Sequence, residues 1–183
     1  MNKKIFIACD TTNLNFIKKI IEKSQTKKLD IGYKFGLEFF NSKKGRNFIY
    51  KLKDKKIWLD LKLFDIPNTV YSSIIALKDL NNLKYLTVHA SGGLEMMIAA
   101  KKAAKKINKK IKILGVTILT SFSEKSLKKI GHTRSIKKIV KLQAKLIRSA
   151  GLDGIVCSGH EAKIIKQTFK NFEIITPGIR LDG

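Results

Sequence analysis

The chain has 183 residues, 44% of them hydrophobic, which is enough for one sizeable core and too little for several domains. Its 38 basic and 14 acidic residues give a formal charge of +24, and no run approaches the roughly 20 apolar residues that a membrane-spanning helix needs. All but four of the basic residues are lysines, the exceptions being Arg46, Arg134, Arg148 and Arg180, and they are spread over nearly every segment with helical periodicity. That spread describes solvated helix faces. Aromatic residues are not interleaved with the basic ones as a single-strand nucleic-acid platform requires, so the charge argues for compositional bias first and attraction of anionic substrates second.

Along the chain, short β-branched runs alternate with helical patterns seven times, the signature of βα units and a parallel sheet. The first run, Ile5 to Cys9, follows Met1-Asn2-Lys3-Lys4; it is too short for a signal-peptide core and reads as a strand. The others are Leu29 to Phe35, Ile57 to Leu61, Tyr85 to Val88, Ile111 to Ile118, Gly154 to Cys157 and Phe172 to Thr176. Leu14, Ile17, Ile20 and Ile21, and later Ile139, Leu142, Leu146 and Ile147, recur at helical spacing and are expected to face the sheet. Cys9 and Cys157 lie in strand-like runs without metal-site spacing and read as buried, reduced thiols, which suits a cytoplasmic protein.

The third run carries the most chemistry, Asp60-Leu61-Lys62-Leu63-Phe64-Asp65 followed by Ile66-Pro67-Asn68-Thr69. In a strand with a two-residue period, Asp60 and Lys62 share one face while Leu59, Leu61 and Leu63 occupy the other. The apolar flanks predict an enclosed site, where a charge is tolerated mainly when paired or functional. Pro67 forces a turn, after which Asn68 or Thr69 can cap a helix.

Polar residues collect where each strand should end: Asp10, Lys34, Asp60 with Lys62, His89 with Ser91, Thr120 with Ser121, Ser158 and Arg180. Polar groups after several strands suit a (β/α)8 TIM barrel better than a doubly wound sheet, which gathers its ligand contacts at one switch point. The expected architecture is thus a single α/β domain over residues 1–183. Seven strands are counted, so the barrel is expected to be incomplete, truncated before its eighth strand.

In order and spacing, these pieces resemble the orotidine 5'-phosphate decarboxylase family over the whole chain. The resemblance rests on Ala8-Cys9-Asp10, Tyr33-Lys34-Phe35-Gly36, Asp60 through Thr69, Thr87-Val88-His89-Ala90-Ser91-Gly92-Gly93, Leu119-Thr120-Ser121, Gly151 through Ser158, and Thr176-Pro177-Gly178-Ile179-Arg180. It implies cofactor-free decarboxylation of orotidine 5'-monophosphate to uridine 5'-monophosphate in de novo pyrimidine biosynthesis. Lys62 would be the acid that protonates C6, flanked by Asp60 and, from a partner subunit, Asp65, which implies a homodimer with shared active sites. Asp10 and Lys34 would hold ribose hydroxyls, Thr120 the pyrimidine and Arg180 the phosphate, with Ile66, Asn68 and Thr69 completing the substrate contacts.

No metal or other cofactor is expected. Two features depart from the family pattern: Phe64 stands where many relatives have histidine, and the sequence ends before the family's lid glutamine and second phosphate-binding arginine. His89 is expected to be structural rather than a general base. Two other readings stay open, a magnesium-dependent sugar-phosphate decarboxylase or aldol-type lyase of the same superfamily, and a basic, non-catalytic RNA-binding protein.

Overall fold

The computed structural model describes residues 4–169 and 172–178. Seven strands run β1 (Lys4–Ala8), β2 (Asp30–Gly36), β3 (Lys56–Leu63), β4 (Leu83–His89), β5 (Lys112–Val116), β6 (Gly154–Val156) and β7 (Glu173–Ile175). They form one sheet in chain order, every neighbouring pair parallel. Among the described residues strand order never reverses, so these strands hold no switch point, and the sheet curls as part of a TIM barrel. The helices are α1 (Leu14–Lys23), α2 (Leu37–Asn41), α3 (Gly45–Lys51), α4 (Pro67–Ile75), α5 (Gly93–Ile107), α6 (Glu124–Lys129), α7 (Ile136–Ser149) and α8 (Gly159–Thr168), with a 3-10 turn over Ala90–Gly92.

The alternation of side chains along each strand divides the core in two. Phe35, Leu59, Leu86 and Ile113 face outward into a large cluster that includes Ile17, Ile74, Met97 and Ile147 from the helices. Trp58, Tyr85, Leu114, Val116 and Val156 face inward with Phe6, Leu119 and Ile175. Phe6 packs edge-on against both Trp58 and Tyr85, with ring centroids 5.6 and 5.2 Å apart, and so plugs the barrel axis beneath the charged layer above. Below that plug, the Glu173 carboxylate accepts hydrogen bonds from Tyr85 and Lys112, tying β7 to β4 and β5.

All seven predicted runs form strands, with ends displaced by a few residues. The predicted face of the seventh helix needs correction. Leu142 and Leu146 are 40% and 39% exposed, and the buried face of α7 is Ile139, Val140, Gln143, Ala144 and Ile147. The cause lies in β5: a Cβ on Gly115 would sit 2.5 Å from the Ile147 side chain, so the missing side chain there admits Ile147 and fixes the rotation of the helix. The predicted cap of α4 is also corrected. Ile66 occupies the N-cap without a side-chain hydrogen bond and Pro67 opens the helix, leaving Asn68 and Thr69 exposed in its first turn. Pro67 has no N–H to satisfy, which lowers the need for a polar cap.

Cys9 and Cys157 are both buried and unpaired, and burial pushes their thiols up to about 11 and about 12. Both therefore stay inert as nucleophiles near neutral pH. Among the described residues, no helix is long and apolar enough to cross a membrane.

Candidate active site

The carboxyl ends of β1, β2 and β3 bring four charged side chains into one line. Lys34 Nζ donates to Asp10 Oδ1 at 2.9 Å and to Oδ2 at 3.2 Å. The same ammonium lies 3.7 Å from Asp60 Oδ2, to which Lys62 Nζ donates at 3.0 Å. Acid and base thus alternate as Asp10, Lys34, Asp60, Lys62. The pairing follows from the parallel register, in which Ala8 lies opposite Lys34 and Gly36 opposite Asp60, so each strand delivers its charge to the same level. Side-chain exposure is 15% for Lys34 and 12% for Asp60, which rules out solvated rim charges at these two positions.

The β3 segment differs from the regular strand read from its sequence. Leu59 pairs with Leu86 and Leu63 with Val88, so β3 uses four residues where β4 uses two. Lys62 lies within this bulge with φ of +46°, the left-handed region that a non-glycine residue seldom occupies. Opposite it, Thr87 Oγ1 accepts from the Lys62 backbone N–H at 2.9 Å and donates to Asp60 Oδ1 at 3.0 Å. Asp60 and Lys62 do share a wall, but through a bulge rather than through simple alternation.

The expectation of an enclosed site is not met within one chain. The Lys62 side chain is 37% exposed and that of Asp10, at the other end of the line, is 58% exposed. Asp65 lies exposed beyond β3, where its Oδ1 accepts from the Ile66 N–H at 2.6 Å. Phe64 and Ile66 on either side are 64% and 67% exposed. Asn68, Thr69 and, in the loop after β5, Thr120 are exposed as well. Arg180 falls outside the described residues.

His89 closes β4 on the inner side. Its Nδ1 accepts from the Ser91 N–H at 3.2 Å, which leaves the neutral ring's proton on Nε2, and its ring stacks on Phe64 with centroids 5.7 Å apart. Burial, and then the nearby Lys62 ammonium, hold the imidazole below its ordinary value of 6.5. Gln143 supports the same turn by donating to Ser91 Oγ at 3.1 Å. Thr87 is the site residue that the sequence reading missed; two-residue alternation back from His89 places it on the inner face beside Asp60.

A family model described as orotidine 5'-phosphate decarboxylase / HUMPS family matches residues 3–183. The chain belongs to this family. It is similar to an orotidine 5'-phosphate decarboxylase of Buchnera aphidicola subsp. Acyrthosiphon pisum (strain Tuc7), 45% identical over 182 residues, covering 97% of this chain and 75% of the relative. A Wolbachia pipientis subsp. Culex pipiens relative of the same name is 42% identical over 182 residues, covering 97% of this chain and 77% of its own. The crystal structure of orotidine 5'-phosphate decarboxylase from Lactobacillus acidophilus superposes with a TM-score of 0.88 at 34% identity, covering 98% of this chain and 82% of that one. The chain therefore spans about three quarters of the length of the two sequence relatives.

Proposed function

We propose that this family member decarboxylates orotidine 5'-monophosphate to uridine 5'-monophosphate in de novo pyrimidine biosynthesis, without a cofactor, as a cytoplasmic homodimer. One observation carries the reading: the line Asp10, Lys34, Asp60, Lys62, with contacts of 2.9, 3.7 and 3.0 Å. In the reaction, the bond from C6 to the carboxylate breaks, carbon dioxide leaves and the electron pair stays on C6 in the ring plane. The ring carbonyls cannot delocalise that pair. Lys62 Nζ then gives its proton to C6 and recovers one from solvent.

Fixed charge suits this step. At about 4 Å and an effective dielectric of about 20, an ammonium and a carbanion attract by roughly 4 kcal/mol, and about 1.4 kcal/mol is worth tenfold in rate. A term of that size is part of the acceleration; a preorganised pocket and binding energy realised in the transition state supply the remainder. In this reading Asp60 opposes the substrate carboxylate, while Asp10 and Lys34 hold ribose hydroxyls. Ile66, Asn68, Thr69 and Thr120 line the approach, and Arg180 grips the phosphate.

Asp65 acts in the partner's site in this reading. What supports it is that a carboxylate between two exposed apolar residues, Phe64 and Ile66, stands on a surface suited to burial by a second copy. The magnesium-dependent alternative is less favoured because the Asp60 carboxylate already has Lys62, Lys34 and Thr87 around it, and a cation would have to displace an ammonium.

The test is loss of the orotidine monophosphate absorbance by purified protein in a chelating buffer, with uridine monophosphate as product. Turnover that needs added magnesium, or salt-sensitive retention on RNA with no turnover, defeats the proposal.

A further inference from the structure

We propose that Thr87 is a positioning residue for Lys62, its hydroxyl holding the left-handed backbone of the bulge and the Asp60 carboxylate in one arrangement. The inference rests on the reading of Lys62 as the proton donor. A regular parallel ladder would offer the Lys62 N–H a carbonyl of β4. The slip between Leu59 paired with Leu86 and Leu63 paired with Val88 takes that carbonyl out of register, and Thr87 Oγ1 accepts the bond in its place at 2.9 Å.

The direction of both hydrogen bonds is forced. A backbone N–H only donates, so Oγ1 accepts from Lys62 and its own proton goes to Asp60 Oδ1, 3.0 Å away. Thr87 is 0% exposed, so no bulk water stands ready to replace the hydroxyl. A β-branched side chain also has few χ1 states, which keeps Oγ1 aimed at the bulge. Lys62, with φ of +46°, is the one non-glycine residue at positive φ among those described. Such a conformation persists only when its surroundings over-determine it. Without the hydroxyl, the partly buried N–H loses its acceptor, Asp60 loses a donor, and the bulge is free to relax with its ammonium turned from the substrate.

The test compares Thr87→Val, nearly isosteric but without the hydroxyl, with Thr87→Ser, which keeps it. Thr87→Val should lose about 100-fold in kcat, the scale of a catalytic group misplaced by about 1 Å, with a smaller change in KM. Thr87→Ser should stay within about tenfold of wild type, and hydrogen exchange across residues 60–64 should speed up in the valine variant alone. Wild-type kcat in Thr87→Val, or equal losses in both variants, overturns the proposal. Should the valine variant fail to fold, the wild-type Lys62 amide decides: slow exchange agrees with a bond to a buried hydroxyl, and exchange at the rate of an open loop refutes it. Lys62→Ala, run in parallel, reports on the proton-donor reading alone; full turnover there removes that reading whatever Thr87 does.

Discussion

The Lys34 ammonium reaches the Asp10 carboxylate at 2.9 Å, joining the ends of two strands that the sequence separates by a whole helix. Because Lys34 also lies 3.7 Å from Asp60, the pair is one end of a four-charge line. Loss of Lys62 from its other end would leave the Asp60 carboxylate still beside Lys34 and bonded to the Thr87 hydroxyl.

Lys62→Ala should abolish turnover while sparing the fold. The roughly 4 kcal/mol assigned to the ammonium converts to a loss of about a thousandfold or more in kcat. The side chain is 37% exposed, so the thermal midpoint should move by only a few degrees. Steady-state absorbance assays and calorimetry on the same sample check both halves. Near-wild-type turnover would remove Lys62 from the mechanism.

Asp65→Ala should be almost as damaging, and mixing it with Lys62→Ala should restore activity. In a heterodimer with shared sites, one site joins the intact Lys62 of one chain to the intact Asp65 of the other, and the second site carries both defects. Differently tagged subunits purified as a verified heterodimer provide the measurement. An inactive heterodimer would show that each chain builds its site alone.

Stability should fall as the pH drops below about 6.5, in part through His89. Burial and then Lys62 depress the folded-state imidazole below its ordinary 6.5. The unfolded chain therefore binds the proton first, and the stabilisation present above 6.5 is lost as the pH falls toward the depressed value. Protonation also removes the Nδ1 acceptor for the Ser91 N–H. Urea midpoints against pH should decline less steeply for His89→Asn than for wild type; parallel curves would exclude His89 as the titrating group.

Asp153→Asn should destabilise without changing kcat. This carboxylate accepts from Lys101 on α5 at 2.5 Å and from the Ile113 N–H of β5 at 2.7 Å, tying the outer helix layer to the sheet ahead of β6. Its side chain is 25% exposed and that of Lys101 is 14%. The loss should be about 1–3 kcal/mol, typical of a charge-assisted bond with partial solvent access. Denaturant titration measures it, and a loss of unfolding free energy below about 0.5 kcal/mol would mean that water replaces the contact.

Seven strands and a strand-end cluster of polar residues were legible in the sequence because both depend on local rules: β-branched runs, turn residues and the two-residue alternation of side chains. Asp10, Lys34 and Asp60 could be placed at one level because each follows or closes its apolar run and the parallel register aligns those ends. Long-range packing decided the rest. The face of α7 turned on Gly115 admitting Ile147, a contact between residues 32 positions apart whose energy no helical period contains. The bulge at Lys62 required β4 to lie alongside with Thr87 facing it, because only a neighbouring strand defines a register, and here it is the Thr87 hydroxyl that accepts the Lys62 N–H within the slip.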